Sequence, residues 1–154
     1  MSTPPASDGN SNFSYRCHQC RISDLVRRSQ TDFEIDFYDR ILNRDPFYVE
    51  VLSRLGELFA DKGWHRRTLQ IDQRLAQLRP HDPCAIYNLA CSYALLHQVE
   101  DAMRELRRSI SLGFRDYRQL VIDPDLASLR LTQEFVNFVR TLQDPAAKAE
   151  TRLV

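Results

Sequence analysis

The chain has 154 residues, of which 43% are hydrophobic and 27% are charged, a composition typical of a water-soluble domain. Lysine plus arginine and aspartate plus glutamate balance at 21 each, so the overall charge favours neither nucleic acid nor a membrane surface as a partner. Residues 1–15 are polar, and no later apolar run is long enough to cross a bilayer. These features predict a cytoplasmic protein without membrane contact, in which the four cysteines are reduced thiols.

The first part of the chain, residues 1–30, is predicted to form a flexible polar tail. It contains Cys17 and Cys20, whose two-residue separation supplies half of a structural zinc site. No second cysteine pair lies at a useful spacing, and Arg21 occupies the position where a haem-attachment motif requires histidine. We therefore expect inert thiols and no cofactor, with Cys17 and Cys20 as weak candidates for metal binding.

A helical pattern begins near Asp32 and predicts a first helix of about three turns. Its apolar residues recur at spacings of three and four: Phe33, Phe37, Tyr38, Ile41 and Leu42. The helix is expected to end at Asp45-Pro46, since the residue before a proline disfavours the α-helical region.

Asp-Pro steps recur along the chain at residues 45–46, 82–83, 123–124 and 144–145. Aspartate can accept hydrogen bonds from the first amides of a helix, and proline suits the first helical position, so each step is predicted to begin a helix. No alternating strand pattern lies between these steps. The chain is therefore predicted to be all-α, with a helical domain at residues 31–143 and a C-terminal tail at residues 144–154.

Internal similarity at a spacing of 34 residues is the strongest pattern in the sequence. Leu52, Leu55, Gly56 and Phe59 align at this spacing with Ile86, Leu89, Ala90 and Tyr93, and Pro46 aligns with Pro80. Each apolar set lies along one face of a helix, and the small residue within it allows a second helix to approach closely. Gly63 and Gly113 suit a tight turn and a helix end, respectively.

This pattern resembles the tetratricopeptide repeat, in which large apolar, leucine, small and aromatic residues recur in that order. The first copy begins at Leu52 and closes at Pro80, and the second begins at Ile86 and includes Ala102 and Leu106. Departures from the family pattern occur at Thr68 and Asp72, and at Phe114, which stands where the second copy should have proline. The resemblance covers residues 32–143 and implies an α-α superhelix, a solenoid of antiparallel helix pairs.

The flanking segments are expected to complete the stack, because two repeats alone leave apolar faces uncovered. Residues 32–44 align with the second helix of a preceding unit, and residues 124–130 and 132–142 are predicted to form a short helix and a capping helix. Thr132 is the candidate N-cap of the capping helix. The apolar face of that helix carries Phe135, Phe138, Val139 and Leu142.

In the family that this pattern resembles, the first helix of each pair lines a concave surface that holds a peptide or a partner helix. The resemblance therefore implies a partner-binding groove lined by Glu50, Ser53, Arg54, Glu57, Asp61, Tyr87, Asn88, Cys91 and Leu95. The amide of Asn88 can donate to and accept from a peptide backbone, and a local hydrogen bond to a neighbouring helix is an equal alternative. Because acidic residues crowd the first of these helices, the groove is expected to prefer a basic or a neutral apolar segment.

Arginines on the second helices raise the alternative of a basic patch for nucleic acid. They are Arg66, Arg67, Arg74, Arg104, Arg107 and Arg108. No aromatic residues are interleaved with them for stacking on bases. The preferred interpretation is a solvated face whose arginines pair with Asp72, Asp101 and Glu105, so nucleic acid is not expected as a partner.

No catalytic Ser/His/Asp set, glycine-rich phosphate loop or carboxylate pair stands out, so neither enzyme activity nor a small-molecule substrate is expected. The sequence favours a protein–protein interaction module that binds another protein or a peptide in the groove. One alternative is a thiol- or zinc-dependent accessory protein that acts through Cys17 and Cys20. Another is self-association through the exposed ends of a short stack.

Overall fold

The computed structural model describes residues 29–143, and all regular structure in this range is helical. The helices are α1 (Gln30–Leu42), α2 (Val49–Asp61), α3 (His65–Leu78), α4 (Pro83–Leu95), α5 (Val99–Leu112), α6 (Tyr117–Ile122), a 3-10 turn (Pro124–Leu126), α7 (Ala127–Arg130) and α8 (Gln133–Gln143). The prediction of an all-α fold is confirmed for this range. Cys17, Cys20 and the step at residues 144–145 lie outside the described residues.

Helices that follow one another in the sequence pack against one another, from α1 through α5. The 3-10 turn and α7 then pack on α4, and α8 packs on α6 and α7. Buried side chains from α1, α2 and α3 form one apolar cluster, and those from α4, α5 and the C-terminal elements form another. Within residues 29–143, none of the helices has the length and apolar character needed to span a bilayer.

The residues that define the 34-residue spacing occupy equivalent places in the two helix pairs. Leu55 on α2 and Leu89 on α4 are both buried, as predicted. Arg74 on α3 donates a hydrogen bond to the carbonyl oxygen of Pro46, and Arg108 on α5 donates to the carbonyl oxygen of Pro80 at 2.9 Å. In each pair, the same contact therefore ties the second helix to the loop that precedes the first.

The turns inside the two pairs also match. Gly63 has φ +67° between α2 and α3, and His97, 34 residues later, has φ +58° between α4 and α5. In both turns the backbone N–H of the next residue donates a hydrogen bond to the carbonyl oxygen of an aromatic residue. Trp64 donates to Phe59 at 2.8 Å, and Gln98 donates to Tyr93 at 3.0 Å. The predicted role of Gly63 is confirmed, and His97 holds a backbone conformation that favours glycine.

Two predictions about the start of the domain were wrong in part. Phe33 and Phe37 are 57% and 51% exposed, because α1 packs on α2 through a face centred on the buried Ile35 and Leu42. Asp45 does not begin a helix. Its carboxylate accepts from the backbone N–H of Phe47 at 3.1 Å, so it forms a local turn, and α2 starts at Val49.

The other three predicted helix starts within the described range, at Asp82, Asp123 and Thr132, agree with the structure. Asp82 accepts from the backbone N–H of Cys84 at 2.9 Å and caps α4, and Asp123 accepts from the backbone N–H of Asp125 at 3.0 Å and caps the 3-10 turn. The hydroxyl of Thr132 accepts from the backbone N–H of Phe135 at 3.3 Å, which confirms its capping role. The predicted apolar face of α8 packs on the core, whereas α6 was not predicted.

Candidate functional site

A cleft of ≈ 230 Å³ opens where α2, α3 and α4 meet the segment that contains the 3-10 turn. Its lining residues are Ser53, Gly56, Glu57, Ala60, Thr68, Asp72, Leu75, Tyr87, Asn88, Cys91, Ser92, Leu95, Asp123 and Asp125. Six residues of the predicted groove belong to this lining: Ser53, Glu57, Tyr87, Asn88, Cys91 and Leu95. The geometry therefore brings together most of the set that the sequence singled out.

The other three predicted groove residues lie outside the lining. Arg54 forms ion pairs with Glu57 at 2.9 Å and with Glu34 of α1 at 3.2 Å, so it connects α2 to α1. Glu50 lies 3.6 Å from the guanidinium of Arg79, and Asp61 is exposed at the end of α2. These side chains lie at the margin of the cleft or beyond it.

Asn88 is exposed on the wall of the cleft. Its side-chain amide makes no hydrogen bond to another described residue, so the alternative of a local bond to a neighbouring helix finds no support in residues 29–143. The amide can therefore both donate to and accept from a ligand backbone.

Tyr87 has a structural role that the sequence did not predict. Its side chain is 6% exposed, its hydroxyl donates to Asp123 at 2.8 Å, and its ring stacks on Phe114 with centroids 4.3 Å apart. Burial raises the pKa of the Tyr87 hydroxyl, which keeps the donor protonated. Tyr87 thus connects α4 to the 3-10 turn and forms part of the cleft lining.

Asp72, on α3, lines the cleft, although the sequence analysis placed it on a solvent-exposed face. The prediction that it pairs with arginines on a solvated face was wrong, because it is 6% exposed and accepts from the Ser92 hydroxyl at 2.5 Å. Burial raises the pKa of Asp72 to about 6. Its burial could have been predicted from its position, since the aspartate stands where the repeat pattern has a large apolar residue.

The arginine pairs predicted for α5 are present. Arg104 lies 2.6 Å from Asp101, and Arg108 lies 3.2 Å from Glu105. Arg107 pairs with Glu134 of α8 at 2.9 Å. This part of the arginine set is a solvated charged face, as expected.

Two further carboxylates come from the segment after α6. Asp123 is buried and accepts from the Tyr87 hydroxyl, from the side-chain amide of Gln119 at 3.0 Å and from the backbone N–H of Asp125 at 3.0 Å. Burial, reinforced by the charge of Asp123, raises the pKa of Asp125. The sequence identified Asp123 only as a helix start, since nothing in the repeat spacing places this segment beside α4.

Cys91 of α4 lines the same cleft as these carboxylates. Its sulfur and one oxygen each of Asp123 and Asp125 lie within 4.8 Å of one another, a separation that a metal ion could bridge. Burial and the nearby charge of Asp123 raise the pKa of the Cys91 thiol, and Asp123 already accepts three hydrogen bonds. Within the described residues, the thiol is thus a protonated group beside a carboxylate that already has hydrogen-bond partners.

No family model matches the chain. It is 29% identical over 85 residues to a chloroplastic protein of Arabidopsis thaliana. The match includes 53% of this chain and 25% of that protein, so the likeness extends over about a quarter of the relative's length. It indicates a distant relationship to part of that protein.

The cleft combines hydrogen-bonding side chains with apolar surface. Its polar groups are carboxylates, hydroxyls, a thiol and an amide, and its apolar surface comes from α2, α3 and α4. The thiol and the buried hydroxyl of Tyr87 both have raised pKa values, so neither is an activated nucleophile. Such a surface can bind a backbone and a side chain through hydrogen bonds, charge and apolar contact.

Proposed function

We propose that this chain is a protein–protein interaction module whose helix pairs form a short solenoid of the tetratricopeptide type. The equivalent contacts of Arg74 and Arg108 support this arrangement, because they recur with the 34-residue spacing of the sequence. The matching turns at Gly63 and His97 support it as well. In this proposal, the cleft between α2, α3 and α4 holds an extended peptide or a helix of another protein.

The cleft itself is the observation that carries the proposal. Six of the side chains that the tetratricopeptide resemblance implies as a groove line one concavity in the folded chain, and Asn88 exposes an amide there that no described residue uses. An amide with free donor and acceptor groups beside an apolar wall is suited to a peptide main chain. We propose no catalytic role for these residues.

The cellular location is a separate proposal. The sequence predicts the cytoplasm, whereas the name of the Arabidopsis relative places that protein in the chloroplast. We propose a cytoplasmic protein with a chloroplast location as the alternative. Fractionation of cells that express the untagged chain tests this, and recovery with plastids would overturn the cytoplasmic assignment.

Selection of peptides on the immobilised wild-type chain, followed by affinity measurement with purified variants, tests the proposed function. Asn88→Ala removes the cleft amide, and Asn137→Ala is the matched control because Asn137 is exposed on α8. Tyr87→Ala is unsuitable because it removes a buried side chain.

We expect selected peptides to bind wild type and Asn137→Ala alike and to bind Asn88→Ala about fivefold or more weakly. Equal binding to all three proteins would contradict the proposal. Failure to select any peptide above an unrelated helical protein would contradict it as well.

A further inference from the structure

The charged side chains that line the cleft are all acidic. Glu57, Asp72, Asp123 and Asp125 contribute carboxylates to its lining, and the described lining residues include no lysine, arginine or histidine. One oxygen each of Asp123 and Asp125 lies within 4.8 Å of the Cys91 sulfur, and Asp72 lines the same cleft. An incoming cation would meet several carboxylates at once.

The hydrogen-bond partners of the two buried carboxylates are neutral. Ser92 donates a hydroxyl to Asp72, whereas Tyr87 and Gln119 donate a hydroxyl and an amide to Asp123. Neutral donors satisfy lone pairs but leave the charge uncompensated. Three cations of the chain lie near these carboxylates from outside the lining: His65 acts on Asp125, Arg54 pairs with Glu57, and Arg130 donates to the backbone carbonyl oxygen of Asp123 at 2.5 Å rather than to its carboxylate.

The remaining surface of the cleft suits an aliphatic stem. Gly56, Ala60, Leu75 and Leu95 supply apolar surface from all three helices. The volume of ≈ 230 Å³ is below the ~300–1,000 Å³ typical of pockets for drug-sized ligands. A single long side chain with an apolar stem and a charged head fits these dimensions and this chemistry.

We propose that the peptide held by this cleft is basic, and that one of its arginine or lysine side chains enters between Leu75 and Leu95 toward Asp72 and Asp125. This inference rests on the proposed function and specifies the chemistry of the partner. Arginine suits the site best, because its planar donors can reach two carboxylates while its stem lies along leucine side chains.

A capped positional-scanning peptide library tests the inference. One position is fixed as arginine, as citrulline or as glutamate, and all other positions are randomised. Citrulline keeps the shape of arginine and removes its charge. We expect wild type to retain the arginine pool about tenfold better than the citrulline pool, and to retain the glutamate pool least.

Purified variants then locate the interaction within the chain. Asp72→Asn preserves the shape and the contact with Ser92 while removing the charge, and Asp101→Asn removes an equal charge on α5 beside Arg104. We expect Asp72→Asn to lower affinity for arginine peptides about tenfold and Asp101→Asn to leave it unchanged. A chelator in all buffers excludes bridging metal ions.

The outcomes separate the two proposals. Equal retention of the arginine and citrulline pools, preference for glutamate, or equal effects of Asp72→Asn and Asp101→Asn would overturn this inference and leave peptide binding in place. Retention of no pool above an unrelated helical protein would overturn the proposed function, and the inference with it.

Discussion

The carboxylate of Asp72 on α3 accepts a hydrogen bond from the hydroxyl of Ser92 on α4, within the interface between the two helix pairs. A single neutral donor replaces only part of the hydration that the carboxylate has in the unfolded chain. Burial accordingly raises the pKa of Asp72 to about 6, above the ordinary value of 3.8. The folded state therefore binds a proton more tightly at this site than the unfolded state does.

A pH dependence of stability follows from this shift. Between pH 3.8 and about 6 the native chain binds more protons at Asp72 than the unfolded chain, so the contribution of Asp72 to stability falls as pH rises through this window. Above about pH 6 the full cost of the buried charge is present. Asp72→Asn should therefore be more stable than wild type by about 1–2 kcal/mol at neutral pH.

Urea unfolding of both proteins at about pH 7.5 and about pH 4.5 checks this prediction, because the advantage of the variant should shrink at the lower pH. A variant less stable than wild type at neutral pH, or an advantage independent of pH, would count against it. The same substitution is expected to weaken binding of basic peptides. Stability and binding would then change in opposite directions.

The left-handed backbone at His97 is a site where glycine should be more favourable. Non-glycine residues in this conformation carry a cost of ~1–2 kcal/mol, partly offset by the greater freedom of glycine in the unfolded chain. His97→Gly should raise the free energy of unfolding by about 0.5–1 kcal/mol. Gly63→Ala, at the equivalent turn with φ +67°, should lower it by about 1 kcal/mol. Chemical denaturation measures both changes, and destabilisation by His97→Gly would refute this account of the turn.

Gly56 on α2 packs against the side chain of Ile71 on α3. A Cβ at this position would lie 3.2 Å from Cγ2 of Ile71, so a methyl group requires a shift of a few tenths of an ångström. Gly56→Ala should stay within about 1 kcal/mol of wild type, since the gain in helix propensity opposes this contact. Gly56→Val should lose about 3 kcal/mol or more because its branches cannot be accommodated. Thermal unfolding of both variants is the test, and similar stabilities would argue against close packing here.

The hydroxyl of Tyr87 is expected to contribute to stability through Asp123. Tyr87→Phe keeps the ring that stacks on Phe114 and removes one of the three donors to the buried carboxylate. It should cost about 1–2 kcal/mol. Tyr48→Phe, at an exposed tyrosine before α2, should change stability by less than about 0.5 kcal/mol. Equal effects of the two substitutions in urea unfolding would contradict the structural role of Tyr87.

Much of the helical arrangement was predictable, because most apolar residues that recur at a spacing of 34 are also residues that the fold buries. Leu52, Leu55, Ile86 and Leu89 all lie in the core. The reason is physical, since a helix pair can bury its apolar face only against equivalent faces of its neighbours. Periodicity therefore reports on contacts between consecutive helices, even where individual residues depart from the pattern.

The positions of the two buried aspartates that line the cleft, Asp72 and Asp123, were not predictable in the same way. Asp72 was assigned to solvent because charged residues are seldom buried, and Asp123 was assigned only a capping role. Their placement depends on tertiary contacts between α3, α4 and the segment after α6, which no local pattern encodes. The exposure of Phe33 and Phe37 was not predicted for a related reason. Helical spacing alone does not determine which side of α1 packs against α2.

The most direct test of the account is to map a bound peptide on the chain by nuclear magnetic resonance, using a peptide selected on the wild-type protein. If the cleft binds the peptide, changes in backbone amide chemical shift should concentrate at Ser53 and Glu57 of α2 and at Asn88 and Leu95 of α4. The amide chemical shifts of the α5 arginines, Arg104, Arg107 and Arg108, should stay unchanged. Shifts confined to α5, or to the exposed phenylalanines of α1, would contradict the assignment of this cleft as the binding site.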